Sequence, residues 1–468
     1  MLKKIIGNSA IYGIAPYIPR IVSIFILPLL TEHLTDIDYG IAGTITAYTL
    51  ALSALSTLGF SAILQVTFFK ASNQYKVLWR EIYGFLQYWM VIFAIIQGII
   101  LYIVIPQEAI ENRWEIIFLS NFNTVFFGPS AFIGPLYYQL SQKPIPVAIR
   151  SAAAGLLSVF INYICVVLLN YGYMGWYVSS FMGNFIINAT YWYSLNKKIG
   201  LSPIYNFKRK TILKSLKVSL PMIPHYYSVF MINTFNRIVM DNSAISIGKI
   251  GEFNMAQQFS NVFESAISAM EKAITPMCMI ELKNNNAIKL KKITYIFIQI
   301  TFSATFLFTL WSKDIFQILI NNQTLANTYP IASLLILSLN YRPIYITATN
   351  VYFFNMKTKD ILYITFGAGI LAVIGNIIFI PIWGIWGAAI VTYIAFTYQG
   401  YAGFFMRVYK TYSNISYPVF RLFFIQNSIS IIALLNMNSQ IEIKIILTIL
   451  TILTNVYLLN LNKNSTSI

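Results

Sequence analysis

Charged side chains inside long apolar segments are the residues of this chain best suited to bind or move a charged group. Arg20, Lys272 and Arg342 each interrupt such a segment. A charge at the centre of a membrane-spanning helix costs about 2.5–3.5 kcal/mol, so it normally faces an aqueous cavity or a partner charge. We therefore expect these three cations to face an aqueous cavity or a partner charge, and they are the first candidates for binding a substrate.

Two further arginines lie closer to the ends of apolar segments. Arg150 follows the start of its segment by about one turn, where its long side chain could bind cargo or could snorkel to the membrane surface. Arg237 is four residues before Asp241, a spacing that permits an ordinary local ion pair. Both are candidates for substrate binding behind the first three.

Two carboxylates and one histidine are candidates for ion coupling. Glu264 and Glu271 are seven residues apart and share one face of a helix, whereas Lys272 must point elsewhere than Glu271. One interpretation is that a glutamate neutralises one of the arginines; the other is that it binds a proton or Na⁺. His225 is either a packed, hydrogen-bonded residue or a titrating switch.

The composition excludes a soluble globule. Of the 468 residues 57% are hydrophobic and only 10% are charged, which is the composition of a polytopic membrane protein. The net charge of +17 comes from Lys and Arg in short loops between apolar runs. This distribution indicates that the positive charges set the orientation of the chain in the membrane and do not form a nucleic-acid surface.

No cofactor, metal site or enzymatic centre is predicted. The only histidines are His33 and His225, and Cys165 and Cys278 lie far apart in apolar segments. These four residues do not have the spacing of a metal site or a disulfide framework. The chain also lacks a phosphate-binding glycine loop and a large outer loop with a catalytic constellation, so we expect a protein that is not an enzyme.

The hydropathy pattern predicts an all-α fold with about fourteen transmembrane helices of about 20 residues each. Lys and Arg concentrate in alternate loops, and this bias places the N- and C-termini in the cytoplasm. The outside loops contain only Arg113, Lys249, Lys313 and Lys444 of the basic residues. The predicted spans are residues 5–30, 39–64, 83–105, 115–139, 145–169, 173–194, 216–240, 250–278, 293–311, 329–354, 361–380, 384–405, 417–436 and 441–460.

Short internal similarities suggest that the chain contains a repeat. The glycine-bearing turn after Asn162 resembles the turn after Asn376, and Ile-Pro-Arg at 18–20 resembles Ile-Pro-His at 223–225. Six spans separate the members of each pair, which predicts two six-helix lobes in parallel orientation, a transporter plan; chance glycine-rich turns are the alternative. The predicted divisions are an N-terminal lobe at 1–196, a basic cytoplasmic linker at 197–215, a C-terminal lobe at 216–410 and a C-terminal helix pair at 411–468.

Three features together resemble the Wzx-type polysaccharide flippases of the multidrug/oligosaccharidyl-lipid/polysaccharide exporter superfamily. They are the number of spans, the Leu-Pro-Met-Ile-Pro-His opening at 220–225 followed by Asn236 and Arg237, and the Ile-Pro-Ile-Trp-Gly-Ile-Trp-Gly-Ala-Ala turn at 380–389. The family usually has Asp where this chain has Asn236, which weakens any charge-pairing role there.

The resemblance implies a V-shaped pair of lobes in the cytoplasmic (inner) membrane of a bacterium. It implies that the protein moves an undecaprenyl-pyrophosphate-linked oligosaccharide, a precursor of O-antigen or capsule, to the outer leaflet by alternating access through a cationic central cavity. The implied partners are this lipid-linked substrate, membrane lipids, a coupling ion (H⁺ or Na⁺) or the membrane potential, and polysaccharide polymerase machinery.

Two other functions are weighed against this one. A cation-coupled multidrug antiporter of the same superfamily would need a carboxylate-lined, aromatic cavity, whereas this chain has an excess of Arg and Lys within its spans. A membrane-embedded polysaccharide polymerase or transferase would need catalytic groups on larger outer loops. The sequence therefore favours the flippase.

Overall fold

The computed structural model describes residues 18–70, 75–355, 357–413 and 415–464, and these residues form helices and connecting turns with no strand among them. The helices are α1 Ile18–His33, α2 Asp36–Ser56, α3 Ser61–Lys70, α4 Tyr75–Val104, α5 Arg113–Leu140, α6 Pro144–Tyr163, α7 Met174–Tyr193, α8 Arg209–Ser219, α9 Ile223–Asn233, α10 Phe235–Asn242, α11 Ile247–Lys283, α12 Ala287–Leu319, α13 Gln323–Ala326, α14 Tyr329–Ser338, α15 Arg342–Phe354, α16 Thr358–Trp383, α17 Ile385–Phe405, α18 Arg407–Tyr412, α19 Val419–Asn436 and α20 Ile441–Asn464. The all-α class predicted from the sequence is confirmed.

Several of these helices have the length and composition of membrane spans. Within the described residues, seven helices qualify, and the count rises to eight if the bent pair α2 and α3 forms one span. The total of about fourteen remains a prediction, and the first predicted span begins outside the described residues. The helix α7 is absent from the seven, and its central turns contain Ser180, Asn184 and Asn188.

The chain divides into two compact units. The first comprises residues 1–230 and 246–251, and the second comprises residues 231–245 and 252–468. In the first unit, α5 packs against α4 and α7, and α6 packs against α7 and α1. In the second unit, α12 and α17 pack against α14 and α15, and α16 lies against α17. The predicted repeat and its boundaries remain predictions.

Three predicted spans are interrupted rather than continuous. The second is bent by 42° between α2 and α3, where Leu58 and Gly59 have positive φ angles. The seventh contains a 3₁₀ turn that includes Pro221, and α9 begins next to Pro224. Proline lacks a backbone N–H and so breaks the hydrogen-bond ladder of a helix interior. The tenth span is interrupted between α14 and α15, immediately before Arg342.

The ninth predicted span is longer than the sequence indicated. The apolar residues from Ile315 onward extend α12 to Leu319. Asn286 caps the start of this helix by accepting a hydrogen bond from the backbone N–H of Lys289. Capping by an Asn side chain satisfies a donor that the first helical turn would otherwise leave unpaired.

Candidate functional site

Arg342 occupies a break in a largely buried apolar segment. A 3₁₀ turn separates α14 from α15, and Arg342 is the first residue of α15, followed by Pro343. Proline is favoured in the first turn of a helix because the N–H that it lacks has no intrahelical partner there. The local sequence therefore starts a new helix at the arginine and sets its position along the segment.

The guanidinium of Arg342 contacts one carboxylate and one aromatic ring. Its Nη2 lies 3.8 Å from Oε2 of Glu271, and the group lies 5.7 Å from the centre of the Tyr345 ring. The side chains of Arg342 and Glu271 are 23% and 33% exposed. Within the described part of the chain, Nε of Arg342 is buried without a hydrogen-bond partner. A pair this long and this open leaves donors that can bind a second anion.

The other predicted charges on α11 differ from Glu271 in their surroundings. Glu264, two turns earlier, is half-buried, and Lys272 is exposed. The helix turns by about 100° per residue, so adjacent side chains point in different directions. Glu271 can therefore contact Arg342 while the neighbouring Lys272 points in another direction. The roles of Glu264, Glu271 and Lys272 remain predictions.

Arg150 is held by contacts within the first unit. Its Nε donates to Oγ1 of Thr190 at 3.0 Å, and its Nη1 donates to the carbonyl of Pro146 at 3.1 Å. The guanidinium lies over the rings of Tyr138 and Tyr191, at 5.1 Å and 4.8 Å from their centres. These contacts link α6 to α5 and α7. A role in helix packing is therefore sufficient to explain the position of this arginine.

The remaining candidates lie in separate places. Arg20 is exposed in the first described turn of α1, next to the buried Pro19. Arg237 is only 5% exposed in α10, and its Nε has no hydrogen-bond partner among the described residues. His225 lies in α9, but its side chain is outside the described part of the structure. Of the eight predicted site residues, Arg342 and Glu271 are the pair that a described contact brings together.

A polar cavity that the sequence interpretation missed lies within the first unit. It has a volume of about 410 Å³ and is lined by fifteen residues of α2, α4, α5 and α7. Ten of these are Asn, Gln, Ser, Thr or Tyr, and none of the fifteen is charged. The lining includes Thr46 of α2, Thr124 of α5 and Asn184 of α7.

The signal for this cavity was a polar stripe at helical spacing. On α7, Tyr177, Ser180, Asn184 and Asn188 recur three or four residues apart and therefore share one face. A search for charges within spans passes over such a stripe because every member is neutral. Tyr177, an aromatic residue, also lines the cavity.

The described residues contain no group of three or more His, Cys, Asp or Glu side chains that could hold a metal ion. Cys165 and Cys278 are free and buried. The described geometry offers ionic contact at Arg342 and hydrogen bonding in the polar cavity.

Comparison with known proteins points to one family and one fold. The model of the family described as "Polysaccharide biosynthesis protein" matches residues 5–280. No curated protein matches the chain.

Three solved structures similar to this chain share its fold at low identity. The lipid II flippase MurJ in an inward closed conformation matches with a TM-score of 0.67 at 16% identity, over 92% of this chain and 98% of its own. An inward-facing multidrug resistance transporter of the MATE family has a TM-score of 0.62 at 15% identity, over 86% of this chain and 95% of its own. A MOP superfamily transporter from Pyrococcus furiosus has a TM-score of 0.58 at 16% identity, over 87% and 95%.

Proposed function

The chain belongs to the polysaccharide biosynthesis protein family and has the fold of MOP superfamily transporters, and on this premise we propose that it is a flippase for a lipid-linked oligosaccharide. The carrier lipid in this proposal is undecaprenyl pyrophosphate, and the transported unit is a precursor of a surface glycan such as O-antigen or capsule. The protein would act in the cytoplasmic membrane by alternating access.

The observation that carries the proposal is the partly open Arg342 beside Glu271 in an otherwise buried apolar segment. The segment from Gln323 to Phe354 is long and apolar enough to span a membrane, and most of it is buried. A cation there is costly unless it faces water or an anion. The pyrophosphate of the carrier lipid is an anion of the required kind, and a planar guanidinium binds phosphate through two parallel hydrogen bonds.

Transport against a concentration difference needs an energy source, and this chain has candidate groups for ion coupling. The membrane potential supplies about 2.3 kcal/mol per charge for each 100 mV. Glu264 is half-buried on the same face of α11 as Glu271, which makes it the coupling residue of this proposal. Glu271 would release Arg342 when the pyrophosphate binds, because the two acceptors compete for one guanidinium.

The test replaces Arg342 in cells that lack the chromosomal copy. We expect Arg342→Ala to reduce export of surface polysaccharide by at least about tenfold, the factor that ~1.4 kcal/mol supplies in a rate. Arg342→Lys should give intermediate export because it keeps the charge and loses the planar fork. The measurement is surface polysaccharide per cell, normalised to the amount of the variant in the membrane.

Arg407→Ala is the matched control, since Arg407 is also the first residue of a helix but is exposed. It should export as the wild type does. Export by Arg342→Ala at the wild-type level would exclude the cationic site. Complete loss of the gene should leave the lipid-linked oligosaccharide inaccessible to an impermeant lectin outside the membrane; unchanged accessibility would exclude flippase activity.

The multidrug antiporter is separated from the flippase by the same variants. An arginine in the binding site would repel an organic cation, so an antiporter of such cations should not depend on Arg342. Drug efflux that survives Arg342→Ala, together with normal lectin accessibility in the deletion strain, would support the antiporter.

A further inference from the structure

The polar cavity of the first unit has the chemistry of a binding site for an uncharged, hydroxyl-rich ligand. Its volume of about 410 Å³ falls within the ~300–1,000 Å³ range of small-molecule pockets. Such pockets are mostly apolar, whereas two thirds of the residues around this one are polar. Asn and Gln amides both donate and accept hydrogen bonds, so they suit hydroxyl groups, which also do both.

Two buried polar atoms of the lining lack protein partners. The Oδ1 of Asn123 and the Oη of Tyr177 are buried and make no hydrogen bond to any described residue. The amide nitrogen of Asn123 donates one hydrogen bond, to the carbonyl of Phe181 at 3.0 Å. Leaving such an atom unsatisfied costs about 1–3 kcal/mol. Protein atoms cover both of them as the side chains stand, so a small shift of the cavity wall would bring each within reach of a ligand hydroxyl.

The described lining contains no charged side chain. It therefore suits a different kind of group from the pyrophosphate and the polyprenyl chain of the lipid-linked substrate. A pyrophosphate would require cationic donors, and an organic cation would require a carboxylate. A polyprenyl chain has no hydrogen-bonding groups to match the amides. Sugar rings match the lining because their hydroxyls pair with the amides and their C–H faces pack against aromatic rings such as Phe181.

We propose that this cavity binds uncharged sugar units of the transported glycan. The inference rests on the proposed flippase function and assigns the saccharide part of the substrate to a site within the first unit. Six of the fifteen lining residues lie on α5, which is long and apolar enough to span a membrane. Sugars bound there would exchange water for protein hydrogen bonds at the depth where hydration is hardest to retain.

The test measures binding of a sugar that carries neither lipid nor phosphate. Mild acid releases the free oligosaccharide from the lipid-linked pool of the cells that make this protein. Isothermal titration calorimetry follows its binding to the purified full-length chain in detergent. We expect the wild type to bind the free oligosaccharide. Asn184→Leu and Asn123→Leu should each raise the Kd by at least about tenfold, equivalent to ~1.4 kcal/mol.

Asn121→Leu is the matched control. Asn121 lies on α5 two residues from Asn123, is similarly buried and also has an unpartnered Oδ1, but it does not line the cavity. Its variant should bind like the wild type. Asn184→Leu keeps the Asn123 bond to Phe181, so it remains informative if Asn123→Leu does not fold.

The proposal is overturned if the wild type does not bind the free oligosaccharide, or if Asn184→Leu binds it as tightly as the wild type. Tighter binding of the organic cation ethidium than of the oligosaccharide, lost in Asn184→Leu, would also overturn it. These outcomes are independent of the lectin measurement in the deletion strain. Failure of the sugar site is thereby distinguished from failure of the flippase function.

Discussion

Lys444 illustrates how a single charge is retained inside this apolar chain. Its side chain is only 2% exposed, and its Nζ lies 2.5 Å from Oδ2 of Asp314, which is 34% exposed. The ammonium also lies 5.5 Å from the centre of the Trp311 ring. The sequence analysis counted Lys444 with the outside loops and also began a span at residue 441. The helix α20 does begin at Ile441, so Lys444 lies in its first turn and its side chain faces α12, while the side of the membrane stays a prediction.

The two halves of this ion pair should differ in their effect on stability. Asp314→Asn leaves the buried ammonium without its counter-charge, and breaking a buried pair in this way costs about 3–5 kcal/mol. Lys444→Met should cost less, because the remaining Asp314 is partly exposed and stays hydrated. The measurement is the free energy of unfolding in detergent, with Lys313→Ala as a neighbouring control. Equal stability of Asp314→Asn and the wild type would contradict the assigned pairing.

Arg342 marks the limit of prediction at the scale of a residue. A charge within an apolar segment is visible in the sequence, so this arginine was predicted as a candidate. Its partner was not identifiable, because Glu264 and Glu271 share a helical face and either could neutralise any of several arginines. The choice depends on how α11 packs against α15, which is a tertiary contact with no local signature.

Gly183 of α7 shows how closely the helices of the first unit approach one another. A Cβ at this position would lie 1.9 Å from Oγ of Ser158 and 3.0 Å from the carbonyl oxygen of Ala154, both on α6. Small residues at helix interfaces permit such close packing in membranes. The glycine therefore sets the separation of α6 and α7 next to the polar cavity.

We expect Gly183→Ala to destabilise the protein by about 1–3 kcal/mol, the usual cost of overpacking. Gly98→Ala is the control, because a Cβ there would make only ordinary contacts, the nearest at 3.6 Å. Alanine is a better helix former than glycine by about 1 kcal/mol, so the control should be neutral or stabilising. Thermal unfolding of the two purified variants in detergent gives the comparison. A Gly183→Ala protein as stable as Gly98→Ala would show that rotation of the Ser158 hydroxyl or a small shift of α6 accommodates the methyl group without cost.

At the scale of elements, the sequence predicted helices well and their interruptions poorly. Apolar runs located α5 to within two residues at each end, because burial in lipid demands a minimum length. They located α12 but not its ends, which lie six residues before and eight residues after the predicted span. The break before Arg342 was missed since Pro343 at a helix start and proline inside a helix look alike in a sequence. The polar stripe of α7 was missed since neutral residues cost little in a span and produce no strong signal.

The family model covers residues 5–280, and together with the fold of the similar solved structures it confirms the resemblance inferred from short motifs. The fold follows from similarity to solved transporters, whereas cargo and energy source depend on single residues that those comparisons do not test. The two units differ in their candidate sites: the polar cavity belongs to the first, and the Arg342–Glu271 pair belongs to the second.

The predicted orientation in the membrane can be tested at the two ends of α12. This helix of 33 residues is about 50 Å long at ~1.5 Å per residue, which is long enough for its ends to emerge on opposite sides of a hydrocarbon core about 30 Å thick. Three lysines, Lys289, Lys291 and Lys292, cluster at its start. The excess of positive charge on the cytoplasmic side therefore predicts that the helix begins inside and ends outside.

Single cysteines placed beyond these ends report the orientation directly. The exposed positions Asn284 and Gln323 are suitable, in a background where the two native cysteines are replaced by alanine. An impermeant maleimide should label Gln323→Cys in right-side-out vesicles and Asn284→Cys only in inverted ones. The reverse pattern would place the basic loops outside and exclude cytoplasmic termini. Labelling of both positions from one side would mean that α12 does not cross the membrane, because a crossing helix has its two ends on opposite sides.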